Sequence, residues 1–304
     1  MRGALGIGLA ALVLALPAAA AQKRVAMVTP FLASVATHEM VEDFRATPQA
    51  TAWSVSVIDT KGDMGAFASR IEDEVAAHVD ALVLVSVNPA QVQDQVAAAG
   101  KAGIPVFTID GAPAEGVALN VTSDNFAMGT QLSDFLFKAL GGSGNIVKFY
   151  YSAHPGVHQR ELALDAALKA DPTVHVIADH YVKVPGPIDD SRQAMEDMIR
   201  GHKGQINGVW AAWDEPAIGA VLALQSEGVT GKVLVAGIDG NPQAVEMIRA
   251  CTPLIGTVKQ NFAEMARLSA VAIAAQFAGQ APAARNMTAP ALLVTRESLG
   301  VHCD

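Results

Sequence analysis

The stretch 80–110 reads DALVLVSVNPAQVQDQVAAAGKAGIPVFTID, and it contains a complete strand–helix–strand unit. Its first part, Asp80–Val87, is nearly all apolar, as a strand that is covered on both faces should be. Pro89 fits the first turn of a helix, which we expect to run to Ala102. Ile104–Asp110 is the next apolar run and predicts the next strand. This order of elements is typical of a parallel sheet covered by helices.

The same alternation of strand and helix continues on both sides of that unit. Arg24–Thr29 predicts the first strand, and Ala291–Thr295 predicts the last of roughly ten, a number that suits two smaller sheets better than one large sheet. A helix is expected from Asp189 to His202, capped by Asp189 or Asp190. We therefore predict an α/β protein with two doubly wound parallel-sheet lobes joined by a multi-strand hinge.

The limits of the two lobes follow from where the pattern restarts. The natural break lies near Ser123–Asn125, and a second crossing is expected near Val258–Gln260. The first lobe is predicted to contain residues 22–124 and 260–288, and the second lobe residues 125–259 and 289–304. Ligands of doubly wound folds bind outside the carboxyl ends of the strands, so two facing lobes predict a shared cleft.

The N-terminal residues 1–21 have the pattern of a secretory signal peptide. Arg2 precedes an apolar run from Ala4 to Leu16, and small residues end the stretch at Ala19–Ala21. The run is shorter than the ~20 apolar residues that span a bilayer. We expect export to the periplasm and cleavage near Ala21/Gln22; the alternative is a frayed N-terminal helix.

Composition and charge exclude several classes of protein. Hydrophobic residues make up 51% of the chain and charged residues 17%, which supports well-buried cores. The formal charge of −9 and the scattered Lys and Arg residues argue against nucleic-acid binding.

An oxidising compartment favours a disulfide between Cys251 and Cys303, although two separate thiols remain an alternative.

Polar side chains collect where the predicted strands end. The set is rich in carboxylates and amides and has one large aromatic, which suits a neutral ligand with several hydroxyl groups. An aspartate after a strand can instead cap the next helix, so each acid also has a purely structural interpretation. The candidate ligand-binding residues are Ser34, Thr37, His38, Asn88, Asp110, His158, Trp213, Asp239 and Gln260.

The sequence contains no complete motif for catalysis or for a bound metal. The sequence has no G-x-S-x-G elbow and no P-loop. His38 begins a stretch like a zinc motif, but Glu42 stands where the second histidine should be. His154 and His158 are four residues apart, but Pro155–Gly156 between them spoil a helical metal face. We therefore expect no enzyme activity, no catalytic residue, no metal and no cofactor.

Several short motifs occur in an order that resembles one family. They are Asn88-Pro89 after the buried strand, Gly103-Ile104-Pro105-Val106 leading to Asp110, Thr122-Ser123-Asp124-Asn125, Trp213-Asp214-Glu215, and Val235-Ala236-Gly237-Ile238-Asp239-Gly240. The chain resembles the periplasmic sugar-binding proteins of ABC importers, the ribose-binding-protein-like group of type I periplasmic binding proteins. The resemblance implies a monomeric receptor that delivers its solute to a membrane permease.

The resemblance also assigns roles to particular residues. Asp110 matches the ligand-gripping aspartate of the first lobe, Asp239 its partner in the second lobe, and Gln260 a hinge-side amide. Trp213 falls where relatives often have an asparagine, and His158 where they often have an arginine. The first-loop residues Ser34, Thr37 and His38 lie where ribose binders have stacking aromatics.

Three departures from the family pattern weaken the argument for a flat sugar ring as the ligand. The first loop reads Ser34-Val35-Ala36-Thr37 without aromatics, Gly111 replaces a common arginine, and His158 replaces the other. Both arginine contacts and the two-sided aromatic clamp are therefore expected to be absent, with Trp213 as a stacking face. A sugar, a polyol or a derivative stays possible. So do a chemosensory role, a periplasmic hydrolase, and either orientation of Asp214 and Glu215.

Overall fold

The computed structural model describes residues 22–229, 231 and 233–303, and the expected leader at 1–21 lies outside them. The first sheet has the strand order β11-β5-β4-β3-β1-β2, and the second has the order β12-β10-β9-β8-β6-β7. The strands of the first sheet are β1 (Arg24–Thr29), β2 (Ser54–Asp59), β3 (Ala81–Val85), β4 (Val106–Ile109), β5 (Val117–Ser123) and β11 (Asn286–Ala289). Those of the second are β6 (Gly144–Tyr150), β7 (Val174–Tyr181), β8 (Gly208–Ala211), β9 (Leu234–Asp239), β10 (Leu254–Lys259) and β12 (Leu292–Thr295).

Helices cover both sheets and complete the two lobes. Those of the first lobe are α1 (Val35–Ala46), α2 (Met64–Ala76), α3 (Gln93–Lys101) and α9 (Phe262–Phe277). Those of the second lobe are α4 (Asn125–Ala139), α5 (Pro155–Ala170), α6 (Pro187–Gly201), α7 (Asp214–Ser226) and α8 (Pro242–Arg249). The fold class predicted from the sequence, two α/β lobes built on parallel sheets, is confirmed.

The stretch 80–110 forms the centre of the first sheet. All residues of β3 and β4 are buried, because helices cover both faces of the sheet. Asn88 Oδ1 accepts a hydrogen bond from the Ala90 backbone N–H (3.1 Å), and Pro89–Val92 form a 3₁₀ turn. The single helix expected from Pro89 to Ala102 is therefore a 3₁₀ turn followed by α3.

Four details differ from the sequence expectations. The strand β12 pairs antiparallel with β10, so the second sheet is not wholly parallel. Helix α6 begins two residues earlier than expected, with Pro187 in its first turn and Gly186 as its N-cap residue (φ +91°). Asp190 does not cap this helix, because its carboxylate accepts from the Lys183 backbone N–H and contacts His180. The edge strand β11 was not predicted.

The chain crosses between the lobes three times: after β5, after β10 and after β11. These crossings lie beside the domain limits that the sequence suggested, which remain a proposal. Within the part of the chain described here, no helix is both long and apolar enough to cross a membrane.

A disulfide ties the C-terminal tail to the second lobe. Cys251, just after α8, is bonded to Cys303, and their Cα atoms are 5.8 Å apart. The sequence expectation of a bridge is confirmed, and the alternative of two separate thiols is wrong.

Candidate functional site

A cavity of about 600 Å³ lies between the two lobes. Its walls come mainly from the loops that follow the carboxyl ends of strands in both sheets, where doubly wound folds bind ligands. The lobes already touch across this cavity. The rings of Phe31 and Tyr151 meet edge to face with centroids 6.2 Å apart, and Ser34 Oγ donates to Glu215 Oε2 (3.1 Å). The structure therefore has the cleft closed.

Asp110 is the central acid that the first lobe places in the cavity. It follows β4 and is 6% exposed, and Ser86 Oγ donates to its Oδ2 (3.5 Å). Ser86 in turn lies 3.0 Å from the hydroxyl of Thr37. Asp110 and Ser86 both have positive φ (+56° and +58°), which is uncommon for residues other than glycine and concentrates at functional sites.

The second lobe supplies a partner for this acid. His154 Nε2 lies 3.4 Å from Asp110 Oδ2, across the cleft. Burial alone would raise the pKa of Asp110, but His154, Arg160 and the Ser86 hydroxyl outweigh it and hold the pKa below its usual value. Asp110 is therefore a carboxylate and can accept hydrogen bonds from ligand hydroxyl groups.

Arg160 and Asp239 form the corresponding centre in the second lobe. The Arg160 side chain is 2% exposed, and it donates to Ala212 O (2.7 Å) and Asn125 Oδ1 (2.8 Å). Its Nη1 lies 3.5 Å from Asp239 Oδ1, to which Gln260 Nε2 also donates (2.8 Å). These contacts hold one oxygen of Asp239 in place. Within the described residues no hydrogen bond reaches the other oxygen, which can accept from a ligand.

The pKa of Asp239 is raised well above its ordinary value. Burial is the largest cause, and it exceeds the opposing charge of Arg160. The negative charge of the neighbouring Asp214 adds to the increase, and that of Asp110 adds less. Asp239 also has a positive φ of +134°, so backbone strain occurs at the matching acid of each lobe.

Asp214 and Glu215, whose orientation the sequence left open, have different roles. Asp214 is fully buried below the cavity. Its Oδ1 accepts from the Thr257 hydroxyl (2.7 Å) and its Oδ2 from the Asn241 backbone N–H (2.8 Å). It therefore supports the loop that carries Asp239. Glu215 begins α7 as well, but its side chain faces the cavity.

Glu215 links the two lobes. Its carboxylate accepts from Ser34 Oγ and from the Val35 backbone N–H (3.3 Å) in the first lobe, and from Trp213 Nε1 (3.0 Å) in its own lobe. Burial raises the pKa of Glu215, and these three hydrogen bonds oppose the increase. The same carboxylate thus fixes the indole ring of Trp213 beside the cavity.

Aromatic side chains cover one side of the cavity. Tyr151 packs against Phe31 from the first lobe and against Trp213 from the second, where the ring centroids are 6.4 Å apart. The expectation that the first loop lacks an aromatic is wrong, because Phe31 lies just before Ser34 in that loop and lines the cavity. An aromatic face is suited to the C–H face of a sugar or polyol chain.

The hinge contacts the site directly. Ser123 Oγ, at the first crossing, donates to Gln260 Oε1 (2.8 Å), and Gln260 is the residue that holds Asp239. Asn125, just past the same crossing, accepts from Arg160. Gln260 itself lies at the second crossing, directly after β10, so the side chains that hold the second-lobe acid are anchored at two of the three crossings.

The structure brings six of the nine predicted site residues to the cavity wall. They are Ser34, Thr37, Asp110, Trp213, Asp239 and Gln260. Their contact with a ligand remains a prediction.

The other three predicted residues do not line the cavity. His38 is exposed because it follows the buried Thr37 on α1, and successive residues of a helix point about 100° apart. Asn88 uses its side chain to cap a turn. The ring of His158 is half exposed, and its Nδ1 lies 3.6 Å from Oε2 of the buried Glu161.

The expectation that the site contains no arginine is also wrong, because Arg160 lines the cavity. Helix α5 begins at Pro155, with His154 as its N-cap residue, rather than at His158. The inward face of this helix therefore presents Arg160. Proline is favoured in the first turn of a helix, so Pro155 is the sequence signal that could have predicted the correct start of α5.

Gly111, the other departure from the family pattern, has a steric reason. A Cβ atom at this position would lie 2.8 Å from Val87 O and 3.1 Å from Thr108 Cβ. No side chain fits here unless the backbone moves, so the residue after Asp110 cannot supply an arginine.

The combination of groups defines what the cavity can recognise. Carboxylates and amide oxygens accept from hydroxyl groups, while Arg160, His154 and Gln260 can donate to them. Among the described residues, no cluster of three or more His, Cys, Asp or Glu side chains is arranged to hold a metal ion.

Comparison with known proteins finds a matching protein family and several similar proteins. A protein-family model described as a periplasmic binding protein domain matches residues 25–281. Over 201 residues the chain is 31% identical to a xylitol-binding protein of Mycolicibacterium smegmatis, and over 202 residues it is 30% identical to the ribose import binding protein RbsB of Bacillus subtilis. These alignments cover 66% and 64% of this chain, but only 56% and 62% of those relatives.

Solved structures resemble the whole fold. One is a solute-binding protein of an ABC transporter from Agrobacterium vitis, with bound allitol, which superposes with a TM-score of 0.85 at 25% sequence identity. The alignment covers 92% of this chain and 97% of the chain from Agrobacterium vitis. An ABC sugar transporter subunit from Rhodobacter sphaeroides gives a TM-score of 0.84 at 26% identity, covering 90% and 98%.

Proposed function

This chain belongs to the periplasmic binding protein family, and we propose that it is an exported receptor for a sugar, a polyol or a related small hydroxylated solute. The receptor captures this solute between its lobes and delivers it unaltered to the membrane permease of an ABC importer. It acts as a monomer in the periplasm, after cleavage of the leader near Ala21/Gln22.

One observation carries the proposal. Acids from both lobes, Asp110 and Asp239, and the hinge amide Gln260 line a single cavity. A solute with several hydroxyl groups can engage both acids at once, and it can do so only when the cleft is closed. Such a ligand stabilises the closed form because it binds that form better than the open one.

The similar proteins narrow the class of ligand. One is named for xylitol, another for ribose, and a similar structure contains allitol. All three compounds are small, uncharged and rich in hydroxyl groups, which is the chemistry that the carboxylates and the aromatic face of this cavity suit.

The test is a thermal-shift screen against pentoses, hexoses and their polyols, followed by calorimetry. A true ligand raises Tm because it binds only the folded protein. For delivery we expect a Kd that is micromolar or tighter, about −8 kcal/mol or more. The proposal fails if no compound of these classes raises Tm, or if the bound compound is chemically converted.

A matched pair of variants tests the site itself. Asp239→Ala removes a buried carboxyl group that can hydrogen-bond the ligand, and it should weaken binding by about 1–3 kcal/mol, or roughly 5- to 150-fold. Asp165→Ala removes an exposed acid on the outer part of α5 and should leave the affinity unchanged. Equal affinities of the two variants would remove Asp239 from the site.

A further inference from the structure

The cavity has two chemically different parts. Its floor contains the buried polar groups around Asp110, Arg160 and Asp239. Nearer the solvent, five less buried residues form what we call the apolar vestibule. They are Phe31, Tyr151, Val184, Pro185 and Ile188.

The vestibule is built by both lobes. Tyr151, Val184 and Ile188 pack against the hydrophobic core of the second lobe, which fixes their positions. Opposite them, a Cβ atom at Gly62 in the first lobe would lie 3.3 Å from Pro185 Cδ, so this turn and the 184–185 loop are close neighbours. The Gly62 backbone N–H donates to Pro30 O (2.7 Å), which places the same turn beside Phe31.

A close approach between two helices holds this wall in place. Gly219 of α7 lies against the Ile188 backbone carbonyl at the start of α6, where a Cβ atom would collide with that oxygen. The first turn of α6 therefore packs directly on α7, and α7 also carries Glu215. The apolar wall and the polar contacts of the second lobe are parts of one rigid unit.

The closed cavity is larger than a simple polyol requires. A pentitol has roughly ten non-hydrogen atoms, and even at the ~30 Å³ that a water molecule occupies, such atoms would fill about half of the volume. The lobes already touch at Phe31 and Tyr151, so this space remains in a cleft whose two sides are in contact. The vestibule side chains border this unused space together with Asp59, Lys61 and Asp189, and their apolar surface favours an apolar group over water.

We propose that the ligand is amphiphilic: a sugar or polyol whose hydroxyl groups bind the floor and whose terminal carbon bears a short apolar substituent that fills the vestibule. This inference rests on the proposed function, and it names a narrower ligand class for the same site. Val184 and Ile188 select the substituent, while Asp110 and Asp239 select the hydroxyl groups.

Calorimetry on matched ligand pairs tests the inference. D-ribose is compared with 5-methylthio-D-ribose, and xylitol with its terminal O-butyl ether. We expect at least one substituted compound to bind tenfold or more tightly than its parent. If the parents bind and no substituted compound binds more tightly, the inference is overturned and the proposed function stands. If none of the four compounds binds, the inference is overturned for these ligands, and the broader thermal-shift screen decides the proposed function separately.

Variants distinguish a substituent pocket from a mere seal of the closed cleft. The quantity measured is the affinity ratio of substituted to parent ligand. Ile188→Asn should reduce this ratio to about one, whereas Leu162→Asn, at an exposed leucine of α5, should not change it. Val184→Asn gives the same test if Ile188→Asn does not fold. A ratio unchanged in the vestibule variants shows that these residues only exclude solvent, and overturns the inference.

Discussion

Replacing Asp214 by asparagine should change how the stability of the protein depends on pH. Asp214 is fully buried, and burial raises its pKa from 3.8 to about 6, despite hydrogen bonds from Thr257 and from the loop at 240–241. In the unfolded chain the same group has its ordinary pKa. The folded state therefore binds the Asp214 proton more tightly than the unfolded state does.

The sign and size of the effect follow from that difference. The stabilisation linked to this proton is fully present below the unfolded pKa and is lost as pH rises through the folded pKa. A shift of about 2 pKa units at 1.36 kcal/mol per unit corresponds to about 3 kcal/mol. Relative to Asp214→Asn, the wild-type free energy of unfolding should fall by about this amount between roughly pH 4 and pH 7.

The assay is denaturant unfolding of both proteins across this pH range, followed by tryptophan fluorescence. Two of the three tryptophans, Trp210 and Trp213, belong to the second lobe, so the signal reports mainly on the lobe that contains Asp214. Asp165→Asn is the control at an exposed acid and should track the wild type. Parallel curves for Asp214→Asn and the wild type would refute the assignment of a raised pKa to this residue.

Three further changes have expected outcomes. Cys251→Ser removes the disulfide and should lower the free energy of unfolding by about 2–4 kcal/mol, an effect that reduction of the wild type should reproduce. Gly111→Ala places a Cβ atom 2.8 Å from a carbonyl oxygen and should cost about 1–3 kcal/mol in denaturant unfolding; Gly100→Ala, where the added atom meets nothing within 4 Å, should be neutral or stabilising. Ser34→Ala removes a hydrogen bond to Glu215 across the cleft and should lower the closed-to-open ratio without ligand by about 2- to 10-fold in single-molecule FRET. An unchanged ratio would show that this contact does not stabilise closure.

The regular part of the fold could be predicted because its strands are continuous apolar runs. The strand Arg24–Thr29 has the bounds that the sequence predicted, and the unit at 80–110 gave the correct order of elements. Strand β11 could not be found in this way. It is a short edge strand, three of its four residues are exposed, and its sequence NMTA has no apolar run.

The cavity acids could be predicted because parallel strands bring their carboxyl ends to one edge of a sheet. The residues on helices were harder, since each depends on the exact start of its helix. Helix α5 starts three residues before the predicted position. The inward residue of this helix is therefore the buried Arg160, whereas the predicted residue, His158, is exposed. The contact of Glu215 with Ser34 joins residues from different lobes, which no local pattern in the sequence records.

The most direct test of the account is a crystal structure of the protein with the compound that stabilises it most in the thermal-shift screen. The account predicts this compound in the cavity between the lobes, with its hydroxyl groups within hydrogen-bond distance of both Asp110 and Asp239 and with Trp213 beside its carbon chain. A compound bound elsewhere, or one that contacts the acid of only one lobe while the cleft stays open, would contradict it.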